Sequence, residues 1–110
     1  MILFCFLITA VLGAYLFVPV FKQRKAPKLA VYFHGIFAVT SVGLLTSSYL
    51  TQGGVNPITM VLFLLAAANG IYMFFVTEFQ KRAVPPALLL LHGNLAVIAF
   101  ISLIYFLYFA

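Results

Sequence analysis

The chain has 110 residues, 66% of them hydrophobic and only 6% charged, with a formal net charge of +5. A soluble domain of this length could not bury so much apolar surface, so the composition excludes an ordinary globular protein and points to lipid as the solvent. All six basic residues lie in short clusters between apolar stretches rather than along one face, which argues against a nucleic-acid partner.

Four apolar stretches follow one another, each close to the roughly 20 residues that cross a hydrocarbon core. The first covers about residues 2–21. It begins apolar at Ile2 and its basic residues come afterwards (Lys22, Arg24, Lys25, Lys28), as expected of a retained helix rather than a cleaved signal peptide. Pro19 cannot donate to the Tyr15 carbonyl, which predicts a bend near the end of this helix. The second stretch, 29–50, runs into the polar, glycine-rich break Thr51-Gln52-Gly53-Gly54. The third, 57–76, opens at Asn56-Pro57, and the fourth, 85–109, opens at Pro85-Pro86; proline is tolerated where a helix start has no N–H to satisfy. The expected fold is an all-α membrane protein of one domain, 1–110, with no appended soluble part. Short connections make neighbouring helices antiparallel, giving a four-helix up-down transmembrane bundle.

Every basic residue falls in the first and third connections, and the second carries no charge. The positive-inside rule therefore places both basic connections in the cytoplasm and both termini in the periplasm or outside. Tyr49, Tyr105 and Tyr108 then lie near the outer boundary as interfacial aromatics.

The chain is internally repeated, with halves of about 1–55 and 56–110. At an offset of 58, Pro27, His34-Gly35 and Ala38-Val39 map onto Pro85, His92-Gly93 and Ala96-Val97. At an offset of 57, Gly13, Tyr15, Phe17 and Arg24-Lys25 map onto Gly70, Tyr72, Phe74 and Lys81-Arg82, so the third connection is one residue longer than the first. Each half is a helical hairpin carrying one intramembrane histidine. Such a residue is costly in lipid and marks a functional site by default.

His34 and His92 are each seven residues past a proline, Pro27 or Pro85, and hence about 10 Å into their helices. In an up-down bundle helices 2 and 4 occupy diagonal corners, which sets the two imidazoles opposite each other at one depth near the cytoplasmic face. Imidazole nitrogen is a common axial ligand of haem iron, and bis-histidine haem needs ligands on opposite sides of a flat ring. Gly13 and Gly70 are expected to let the ring edges approach helices 1 and 3. Ala30, Ala38 and Ser41 on helix 2, with Leu88, Ala96 and Ala99 on helix 4, are expected to leave it room. Lys28, Lys81 and Arg82 are the natural partners of the propionates, with hydrogen bonds from Asn69 or Tyr32. A zinc or copper site is disfavoured because neither carboxylate nor thiolate accompanies the histidines. Cys5 is alone, and no CxxCH motif is present for covalent haem attachment.

On these residues, the two His-Gly pairs above all, the chain resembles the four-helix transmembrane b-type cytochromes of bacterial inner membranes. The resemblance covers the whole architecture and implies non-covalent haem b, one-electron transfer with quinone, superoxide or a redox protein, and residence in a bacterial inner membrane. Typical members of that family carry four histidines for two haems; two histidines here imply one haem near one face, ligated by His34 and His92. In a homodimer two such haems would come close enough to exchange electrons. The competing expectation is a non-redox structural or assembly subunit, or a carrier of an apolar ligand. Small multidrug transporters share the format of four spans, but the carboxylate they need in the first helix is missing; Glu78 is the only acid in the chain. No arrangement for acid–base or nucleophilic catalysis is present at membrane depth.

Overall fold

The computed structural model describes residues 2–109. It consists of four helices, α1 (Ile2–Phe21), α2 (Lys28–Thr51), α3 (Pro57–Glu78) and α4 (Pro86–Tyr108), with no strand among the described residues. All four are long and apolar enough to cross a membrane, and the chain is a multi-pass membrane protein. The boundaries lie close to those expected from sequence, and proline chemistry sets the starts. The residue before a proline is pushed out of the α region. Asn56, before Pro57, accordingly takes φ −69°, ψ 134° and caps α3, its side-chain oxygen accepting the Ile58 N–H at 2.8 Å. Pro85, before Pro86, takes φ −60°, ψ 134°, so α4 begins one residue later than expected. The helix α1 continues through Pro19 and stops at Phe21.

Each helix touches two neighbours. Contact is extensive within the hairpins α1–α2 and α3–α4 and sparser across α2–α3 and α1–α4; the diagonal pairs α1–α3 and α2–α4 do not meet along their backbones. The result is a rod of 41 × 20 × 20 Å with helices 2 and 4 on opposite corners, as an up-down bundle requires. The connection 79–85 is one residue longer than the connection 22–27.

Packing is uneven along this rod. At the end away from the basic connections all four helices share a core of Phe6, Leu45, Met60, Phe63, Ala99 and Leu103. The repeat is built into it: Phe6 and Phe63 are equivalent, and their rings stack at 4.3 Å across the bundle. Such a pair contributes about 0.5–1.5 kcal/mol beyond its burial. Leu45 and Leu103 are equivalent as well, and so are Ser41 and Ala99, both fully buried. The Thr59 and Ser102 hydroxyls hydrogen-bond at 2.6 Å, tying α3 to α4. Outward, side chains such as Val11, Ile58 and Ile101 are largely exposed, an apolar surface that only lipid accommodates. Towards the basic connections this core gives way to a cavity.

Candidate functional site

That cavity measures about 1190 Å³ and reaches from the basic connections to both histidines. Its deep end is built twice from the same parts. His34 Nδ1 lies 2.9 Å from the Thr9 carbonyl oxygen, and His92 Nδ1 lies 2.8 Å from that of Ala66, the residue equivalent to Thr9. A carbonyl oxygen can only accept, so Nδ1 of each ring carries the proton. In a neutral imidazole this leaves the Nε2 lone pair as the free donor to a ligand, the arrangement that backbone-oriented metal-ligating histidines use.

The glycine one turn after each acceptor makes this contact feasible. A Cβ at Gly13 would stand 3.0 Å from His34 Cε1, and one at Gly70 would stand 3.0 Å from His92 Cε1. Any side chain there would press on the imidazole, which would have to give by a few tenths of an ångström. Gly13 and Gly70 therefore seat the histidine rings, and both also line the cavity, where they were expected to admit the edges of a macrocycle. The glycines of the His-Gly pairs do not serve close helix packing either: nothing lies within 4 Å of a Cβ at Gly35, and Gly93 would meet only Phe17, at 4.0 Å.

The two imidazoles face one another from diagonal helices, ring centres 6.4 Å apart and planes at 82°. A histidine nitrogen stands about 2 Å from its metal and about 1 Å from its own ring centre, so trans imidazoles on one ion have centres roughly 6 Å apart. The observed separation fits a shared metal. No group of three or more histidine, cysteine, aspartate or glutamate side chains suited to a metal exists among the described residues. Two neutral nitrogens leave a bare zinc or copper ion short of ligands, whereas a haem brings four of its own and needs two. Donor set, spacing and cavity therefore fit haem.

The cavity is graded in polarity. Apolar walls from Leu16, Phe17, Val31, Met73 and Phe74 surround the histidine level, and Arg24, Lys25, Lys28, Lys81 and Arg82 gather at the mouth. Lys28, Lys81 and Arg82 are thus where an anionic group on a bound molecule would meet them. The Arg82 guanidinium also bonds the Gln80 side chain, Nε at 3.0 Å. Tyr32 lines the cavity too, but its hydroxyl donates to Glu78 Oε1 at 3.3 Å.

Other expected residues fall elsewhere. Asn69 does not line the cavity. The α3 positions that do are Ala67, Gly70, Ile71, Met73, Phe74, Thr77 and Glu78, and Asn69 is rotated about 100° from Gly70. Its Oδ1 is buried with no hydrogen-bond partner among the described residues. Ala38 borders the cavity, but Ser41 and Ala99 are sealed into helix packing, and Ser41 Oγ lies 3.5 Å from Thr9 Oγ1. Room for a ring consequently extends from the basic side to about one turn past the histidines, where Ala38, Val39 and Thr40 line the cavity, and stops short of Ser41 and Ala99. Cys5 is buried near the opposite end, remote from the site.

The carbonyls of Thr9 and Ala66 were not among the expected functional groups. The repeat held the signal, since Gly13 and Gly70 recur in one register as His34 and His92 do in the other. Compared with protein-family models, curated proteins and solved structures, the chain matches none.

Proposed function

We propose that this protein is an integral membrane cytochrome holding one haem b between His34 and His92 and acting in one-electron transfer. A single observation carries the reading: two diagonal imidazoles, each with Nδ1 pinned to a backbone carbonyl and Nε2 free, face each other at 6.4 Å beside a cavity of about 1190 Å³. Haem b held by His34 and His92 would supply a one-electron couple, and with both histidines as its ligands outer-sphere transfer would be favoured over binding of oxygen. The chain's own residues do the rest. Thr9 and Ala66 fix the tautomer and aim of the histidines, Lys28, Lys81 and Arg82 neutralise the propionates, and the apolar walls exclude water. The electron partner is proposed to be a quinone, superoxide or a redox protein. The basic connections are assigned to the cytoplasmic side of a bacterial inner membrane by the positive-inside rule. A homodimer would bring two haems near each other.

A second reading takes the same histidine–carbonyl bonds as the whole purpose of His34 and His92. Each staples the two helices of a hairpin, as a non-redox scaffold or a carrier of an apolar ligand could use. Spectroscopy separates the two. Protein purified from haem-replete cells is expected to show a sharp reduced-minus-oxidised visible spectrum, lost in His34→Ala and in His92→Ala. A colourless protein that tolerates His34→Gln and His92→Gln without loss of stability favours the scaffold.

A further inference from the structure

The cavity is shut on one flank and slotted on the other. Between α1 and α4, Leu16, Val84 and Leu89 are buried, and Gln23 Nε2 donates to the Val84 carbonyl at 3.4 Å. Between α2 and α3 the wall is different. Ile36, Val39 and Ile71 line the cavity, yet they are 60%, 66% and 63% exposed. Side chains that line a cavity while facing outward mark a gap in its wall, and at this depth the gap opens on lipid. At the basic end of the gap one contact crosses it: the Tyr32 hydroxyl donates to the Glu78 carboxylate at 3.3 Å, and the Tyr32 ring meets Phe74 edge-on at 6.2 Å.

We propose that haem passes into and out of this protein sideways, from the bilayer through the slot between α2 and α3, with Tyr32 and Glu78 as the latch. The inference rests on the cytochrome reading and adds the route. Haem is a flat apolar disc with two carboxylates on one edge, and it partitions into lipid with those carboxylates at the interface. The slot matches that posture, with aliphatic side chains at depth and Lys28, Lys81 and Arg82 at the boundary. A molecule sliding in keeps its carboxylates beside cations throughout. The alternative route, lengthwise through the mouth, drags the apolar disc past a ring of charges. On the α1–α4 flank that path is filled by the buried Leu16, Val84 and Leu89.

The test is the rate of haemin uptake by the apoprotein in phospholipid vesicles, followed by visible absorbance. Val39→Trp and Ile71→Trp narrow the slot and are expected to slow both uptake and release of haemin severalfold. Tyr32→Phe and Glu78→Ala open the latch and are expected to speed uptake and release roughly two- to fivefold, the effect of one lost surface hydrogen bond. Gln23→Ala, on the closed flank, is expected to change neither. A readout without haem accompanies these: in a Cys5→Ser background, Ile71→Cys should react with a lipid-dissolved maleimide and be protected by haemin. Unaltered uptake in both tryptophan variants, or acceleration by Gln23→Ala and not by Tyr32→Phe, overturns the lateral route and leaves the cytochrome reading standing. Wild-type protein that takes up no haemin sinks both.

Discussion

At the scale of single residues, the site is decided by what glycine omits. Gly13 and Gly70 have no side chain, and each histidine ring occupies the space a methyl group would take. Gly13→Ala and Gly70→Ala each gain about 1 kcal/mol in helix propensity and lose about 1–3 kcal/mol to overpacking. Net stability is therefore expected to fall by about 0–2 kcal/mol, and the more specific readout is the ring itself. Each alanine should weaken one Nδ1–carbonyl bond, visible as a shifted imidazole Nδ1 resonance for that histidine alone, and should alter the visible spectrum and midpoint potential of the haem-loaded protein. Gly43→Ala provides the contrast: nothing lies within 4 Å of its Cβ, so the propensity gain is expected to appear undiminished in the unfolding midpoint, with both histidine resonances unmoved. Equal resonances in wild type and Gly13→Ala would show that the glycine does not position His34. The histidines were legible in the sequence because ionisable groups in apolar runs stand out. The role of the glycines was not, because ring seating depends on how two helices are rotated about their axes.

At the scale of elements, spans and starts could be read from hydrophobic length and proline, whereas helix ends depend on backbone geometry that composition does not record. The exits of α1 and α3 both pass through left-handed residues that are not glycine, Gln23 at φ 59° and Lys81 at φ 55°. This conformation costs an L-residue roughly 1–2 kcal/mol. At Gln23 the side chain offsets part of that by bonding Val84; Lys81 has no side-chain hydrogen bond among the described residues. Lys81→Gly is therefore expected to raise resistance to unfolding in detergent by about 1 kcal/mol, and Lys81→Val to lower it, β-branched side chains being least tolerant of positive φ. Identical stabilities for the two variants would mean that the exit of α3 is not strained. The faces of the helices were harder still to read. Apolar residues surround each span because lipid and core are alike in hydropathy, so no amphipathic stripe told which side of α3 met the cavity, and Asn69 was placed wrongly for that reason.

At the scale of the molecule, the order of the repeat explains why there is a site at all. Each half holds two spans, an even number, so both halves cross the membrane in the same sense and equivalent residues lie at the same depth. A repeat of one or three spans would be inverted, and its two histidines would lie near opposite faces. Equal depth brings Phe6 onto Phe63 at one end and His34 opposite His92 towards the other. Core packing and histidine pairing are thus two results of one internal repeat, and the first pair went unnoticed in the sequence because phenylalanine is common here: 13 residues of the chain. The sense of crossing can be tested directly. The positive connections hold Ala26 and Ala83, and the uncharged one holds Gly54. In a Cys5→Ser background, an impermeant thiol reagent applied to intact cells is expected to label Gly54→Cys and to miss Ala26→Cys and Ala83→Cys until the membrane is opened. Neutralising only Lys22, Arg24 and Lys25 should leave that pattern unchanged, because Lys28, Lys81 and Arg82 still hold the basic end inside. Labelling of Ala26→Cys and Ala83→Cys from opposite sides would make the halves inverted, separate the histidines by most of the bilayer, and remove the shared site.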